Sequence, residues 1–195
     1  TVNKRIAYHL AVHSASIYLG NKQKQLPAVH FQIIVKLKEQ DLQQSDLYRR
    51  IVGRYTAIIE GGRLIQNLPM SFSEATRFFS SDQLEAYRCA YEADVINLLA
   101  GPLAEVKYVA LGDGEAFKSN LINLRGLHFY GGSSNIKVIE QYMACLIPHK
   151  PEREKKLAEL FLAAFSFVNE ASSWQKISAL AEYIRYQPIG IISCV

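Results

Sequence analysis

The chain has 195 residues, of which 49% are hydrophobic and 21% charged, with a formal net charge of +4. That length and apolar content suit one domain with a substantial core, and residues 1–195 are read as a single domain. The Lys and Arg residues are scattered rather than massed, and no uninterrupted apolar run approaches the ~18 residues of a membrane span, so neither a nucleic-acid nor a membrane partner is expected.

Residues 4–20 predict a first helix. Ile6, Leu10, His13 and Ile17 fall on one stripe, and Gly20 with Asn21 is its expected stop. Lys4 and Arg5 lead into this helix rather than into an apolar segment, unlike a secretory leader. "PAVHFQIIVKLK" (27–38) is rich in β-branched and aromatic residues and reads as a strand. A polar stretch at 39–47 precedes "LYRRIVGRYTAIIEGGRLIQNLP", where Gly61-Gly62 predicts a hairpin turn between "TAII" and "RLIQ".

The remainder reads as mostly helical. Ser71 with Glu74, and Ser80 with Gln83, have capping-box spacing. The second pair would open a long helix with Leu84, Tyr87, Tyr91, Val95 and Leu98 on its apolar face, kinked or restarted at Gly101-Pro102. Residues 111–130 form an irregular connection. "GGSSN" (131–135) opens a helix with Ser133 or Ser134 as N-cap and Ile136, Ile139, Met143 and Leu146 inward. Pro151 begins another helix to about Glu170, and a last one runs from Ser173 to about Arg185. The apolar tail "PIGIISCV" could pack on this chain or on another molecule. Cys89, Cys145 and Cys194 are odd in number, lack CxxC spacing and read as free thiols of a reducing compartment. A cytoplasmic location is therefore expected.

His9 and His13 are the residues with most chemical content. At i and i+4 on a helix, two imidazoles lie one above the other and can grip one metal ion. The same spacing also serves two histidines that only hydrogen-bond within a core. His30, His128 and His149 are candidates for a further ligand, and Glu105 or Asp113 for a negative charge. No Ser–His–Asp or nucleophilic Cys–His arrangement stands out.

Three segments together carry a resemblance. "AYHLAVHSASIYLG" (7–20), "LLAGPLAEVKY" (98–108) and "GGSSN" (131–135) occur in an order similar to that of the peptidase domain of FtsH-type ATP-dependent zinc metalloproteases. The resemblance implies an α+β, mostly helical, zincin-like domain with a small antiparallel sheet after the first helix. It implies that His9 and His13 stand at zinc-ligand positions, Asn135 at that of an aspartate third ligand, and Glu105 at that of a glutamate kept near the site. Leu10 occupies the general-base position, so no catalytic residue remains there.

Leucine can neither take nor pass a proton, and losing a positioned acid–base group typically costs ~10²–10⁴-fold. A neutral amide is a poor zinc ligand beside a carboxylate. The expected function is therefore that of a degenerate, non-catalytic relative that binds a peptide or partner protein and can self-associate, without a cofactor. The alternative is an active zinc-dependent metalloendopeptidase using His9 and His13 with a non-standard third ligand and base. Zinc would then be the cofactor. No G-x-x-x-x-G-K-[ST] loop occurs, so nucleotide-driven unfolding is not expected of this chain. A third reading, a purely structural helical domain, predicts that residues 98–108 lie away from the two histidines.

Overall fold

The computed structural model describes residues 1–37 and 55–194. The expected polar connection at 39–47 and the start of the following segment, up to 54, lie outside the described residues. The described part is α+β and mostly helical, with a three-stranded antiparallel sheet.

Helix α1 (Lys4–Ala15) opens at Asn3, whose side chain accepts a hydrogen bond from the Arg5 N–H at 2.9 Å. The helix does not stop at Gly20. A π-helical turn (Ser16–Gly20) carries it into a short helical turn, Asn21–Gln23. Every residue of the expected stripe except half-buried Ile6 is buried.

Strand β1 (Phe31–Leu37) follows and is central in the sheet order β2-β1-β3. Its alternation is the reason it is a strand: Phe31, Ile33 and Val35 are buried, while Gln32 and Ile34 point to the other face. Val35 pairs with Ala57 of β2 (Tyr55–Gly61), and Ile33 faces Ile59 on one side and Ile192 of β3 (Gly190–Cys194) on the other. The C-terminal tail thus pairs with its own chain.

The expected hairpin at Gly61-Gly62 does not form. Both glycines take positive φ, +83° and +78°, but β2 pairs with β1 instead of with the residues after the turn. The cause is Asp94, which binds the Leu64 and Ile65 N–H groups and holds that segment against a helix. A Cβ at Gly62 would also come within 2.5 Å of Ile17 Cδ1 and push that side chain aside.

Helix α2 (Phe72–Ala75) is capped by Ser71, and α3 (Ser81–Gly112) by the full reciprocal box of Ser80 and Gln83. Helix α3 runs unbroken through Gly101-Pro102. It packs against α1, α4 (Ser133–Leu146) and α5 (Lys150–Asn169), while α1 also packs against α6 (Ala171–Arg185). Leu99 and Leu103 are fully buried, each worth roughly 1.5–3 kcal/mol of transfer free energy. One stretch of α3 is apolar and long enough by composition to cross a bilayer, with a mean hydropathy of 1.3 despite the charged residues of this helix. Most of that stretch is buried within this domain.

Two 3-10 turns, Ser119–Leu121 and Arg125–Phe129, occupy the irregular connection. Helix α4 has Gly132 as its N-cap, with no side-chain cap, in place of the expected serine. The Ser133 hydroxyl donates instead to the His128 carbonyl at 3.3 Å. Its inward face is as expected: Ile136, Ile139, Met143 and Leu146 are all buried.

Candidate functional site

Helix α1 sets His9 and His13 one turn apart and points both rings at α3. Their Nε2 atoms approach to 3.1 Å, with ring centroids 4.8 Å apart and planes inclined by 53°. Two nitrogens bound to a tetrahedral zinc at ~2.0–2.1 Å would be about 3.3–3.4 Å apart. A single N–H···N hydrogen bond spans a similar distance. The pair is therefore spaced for either use, and its surroundings decide between them.

Residues 98–108 pack directly on the two rings, contrary to the third reading of the sequence. Gly101 is the point of contact: a Cβ there would lie 2.5 Å from His13 Nε2 and 2.6 Å from His9 Nε2. One turn further along α3, Glu105 engages His9 from the opposite edge. Its Oε1 is 2.7 Å from His9 Nδ1, and its Oε2 accepts from Arg5 Nε at 3.1 Å. Arg5 Nη2 is 3.0 Å from the same oxygen, so both carboxylate oxygens are engaged on the side away from Nε2. Gly131, with φ +68°, lets the chain pass this carboxylate, because a Cβ there would collide with Glu105 Oε1. A carboxylate that orients a histidine in this way supports a metal ligand as readily as a hydrogen-bonded histidine.

Asn135, in the first turn of α4, completes the cluster. Its Nδ2 donates to the Leu98 carbonyl at 2.9 Å and lies 3.4 Å from His13 Nε2. The carbonyl is available because Pro102 has no N–H to give it. That acceptor fixes which end of the amide is nitrogen. Asn135 thus turns hydrogens, not its oxygen, toward His13, an orientation opposed to binding a cation. Leu10 is 4% exposed and belongs to the hydrophobic core.

His13 is itself buried. Its pKa lies well below the usual histidine value, chiefly through desolvation, with the charges of His9 and Arg63 adding and the Asn97 backbone carbonyl opposing. At neutral pH this ring is uncharged.

Among the described residues, no group of three His, Cys, Asp or Glu side chains could hold a metal ion. The other candidate ligands are therefore not gathered around the pair. His30 is exposed and shares a cavity with His13. His149 pairs with Glu152 at 3.4 Å, and exposed Asp113 closes the end of α3. His128 lies on the second 3-10 turn.

Residues that sequence reasoning missed lie on the other side of His13. Asp94 is 1% exposed. Its Oδ1 accepts from the Leu64 N–H at 2.9 Å, and its Oδ2 from the Ile65 N–H at 2.8 Å and the Tyr142 hydroxyl at 3.2 Å. Desolvation raises its pKa, against the lowering influence of those donors and of Arg63. The available signal was its position: Asp94 is i+3 from Tyr91 and i−4 from Leu98, on the stripe that must be buried. Nearby, Ser16 donates to Asn97 Oδ1, and Asn97 Nδ2 and the Asn21 amide are buried without a partner among the described residues.

A cavity of about 410 Å³ opens between this cluster and the end of β2. Its walls combine apolar Ile17, Ile59 and Leu98 with polar Arg63, Asn97 and Asn135. That size falls within the ~300–1,000 Å³ range of small-ligand and side-chain pockets.

Comparison with family models, curated proteins and solved structures gave no match. The functional reading therefore rests on this geometry and on the sequence motifs.

Proposed function

We propose that this domain is a degenerate, non-catalytic relative of the FtsH-type zinc metallopeptidases and binds an extended segment of peptide or partner protein. One observation carries the reading. Among the described residues, the Nε2 atoms of His9 and His13 converge on a point that no carboxylate reaches. Glu105 is committed to Arg5 and to the far edge of His9, Asn135 offers N–H groups, and Leu10 lies in the core. Two imidazoles without an anionic ligand or a base cannot readily make hydroxide from a bound water.

The peptide-binding part rests on the sheet and cavity. Among the described residues, the outer edge of β2 is bridged only at Tyr55, by Val2. No described residue pairs with the backbone from Thr56 to Gly61 on that edge, which leads to the cavity and would suit strand addition. Nuclear magnetic resonance of the domain with an unfolded peptide tests this. Shifts at the Thr56–Gly61 amides without peptide fragments are expected.

A second reading has its own support. The 3.1 Å approach of the Nε2 atoms and the Glu105–His9 contact also suit an active zinc metallopeptidase with an unusual third ligand. In that case His9 and His13 would hold the ion, which would supply Lewis acidity to a scissile carbonyl. Chelator-sensitive cleavage of casein would establish this reading over the first.

A further inference from the structure

The cavity has a chemical polarity that the histidine cluster does not use. Arg63, an exposed residue, lines it and lies close enough to act electrostatically on His13, Asp94 and Tyr142. The Asp94 carboxylate, the one acid among the described lining residues, already accepts from two backbone N–H groups and a tyrosine hydroxyl. Among the described lining residues Arg63 is thus a cation beside an acid whose oxygens are already engaged, while Ile17, Ile59 and Leu98 make the walls apolar.

We infer that this cavity is built for a carboxylate attached to an apolar group, with Arg63 holding the carboxylate and the apolar group filling the space beyond. The inference rests on the peptide-binding reading and names the part of the peptide that is recognised: a free C-terminus bearing an apolar last residue. Arginine suits the task because its planar fork meets both carboxylate oxygens at once. The direction of β2 adds a constraint. The strand runs from Tyr55 to Gly61 and so toward Arg63. A peptide lying on its outer edge with its carboxylate at Arg63 would run parallel to β2. A free apolar carboxylic acid has the same chemistry without the strand.

Isothermal titration of the whole chain tests the inference with a short β-branched peptide ending in leucine, made as the free acid and as the C-terminal amide. The free acid is expected to bind at least tenfold tighter, about 1.4 kcal/mol. Arg63→Gln should abolish that preference while leaving amide affinity unchanged, and Arg63→Lys should retain part of it. Arg63 is exposed, and unchanged circular dichroism of both variants would show that folding is not the cause. Octanoate that competes with the peptide assigns the site to apolar acids in general; octanoate that fails to compete assigns it to peptide termini. Equal binding of acid and amide overturns the carboxylate inference but leaves peptide binding standing. No binding of either overturns both.

Discussion

Glu105 and Asp94 lie on the same helix, and both are almost completely buried, at 5% and 1% exposure. Glu105 is held by charge: Arg5 reaches it from the half-exposed surface, and His9 meets its other oxygen. Asp94 is held mainly by neutral donors, two backbone N–H groups and a tyrosine hydroxyl. The first arrangement orients a histidine that could do chemistry. The second pins the segment after β2 to α3 and so shapes the cavity. A buried carboxylate is therefore not by itself the mark of an active centre. What it faces decides its role.

Four substitutions sharpen or break this contrast. Asp94→Ala leaves two buried N–H groups unsatisfied and should cost roughly 3–5 kcal/mol. At about 2–4 °C per kcal/mol for a domain this size, the thermal midpoint should fall by about 6–20 °C. Asp94 also sets a pH dependence. Its folded pKa is raised above the ordinary aspartate value, so the native state binds more protons and stability falls as pH rises through the folded pKa. Denaturant midpoints from pH 4 upward should show this decline in the wild type relative to Asp94→Asn. Parallel curves would mean that Asp94 ionises as easily in the folded chain as in the unfolded one.

Asn135→Asp removes the donor to the Leu98 carbonyl and should cost about 1–3 kcal/mol without metal. The new carboxylate faces the histidine pair, and added zinc should restore the thermal midpoint of this variant but not change that of the wild type. Gly101→Ala gains roughly 1 kcal/mol of helix propensity. It forces a methyl against both Nε2 atoms, a clash of about 1–3 kcal/mol. The net loss should be small, but the histidine ring resonances should shift strongly. Glu105→Gln should have the smallest effect on stability, about 1 kcal/mol, because Arg5 can turn to water. It should nevertheless move the His9 ring resonances measured by nuclear magnetic resonance, because the carboxylate at Nδ1 is lost.

The contrast also separates what the sequence reveals from what it conceals. Glu105 and Asn135, which the structure places beside the two histidines, were named from three short segments far apart in the chain, read together. Asp94 lies between Tyr91 and Leu98 on an apolar stripe, where periodicity counts it as noise. Its partners are backbone groups of Leu64 and Ile65, and backbone donors leave no trace in residue identity. The same gap explains the lost hairpin at Gly61-Gly62. The glycines adopt the turn geometry their type allows, but the next segment is claimed by a carboxylate from α3. Similarly, the stop expected at Gly20 ignored the π-helical turn, which carries the chain past it. No local rule anticipates that turn.

The central claim of the proposed function is that the Nε2 atoms of His9 and His13, which face no anionic ligand among the described residues, would hold a metal ion only weakly. Elemental analysis of the purified chain, before and after dialysis against a chelator, tests it most directly. Substoichiometric zinc and an unchanged thermal midpoint are the expected results. One equivalent of zinc, whose removal lowers the midpoint and whose retention is lost in His9→Ala, would contradict it.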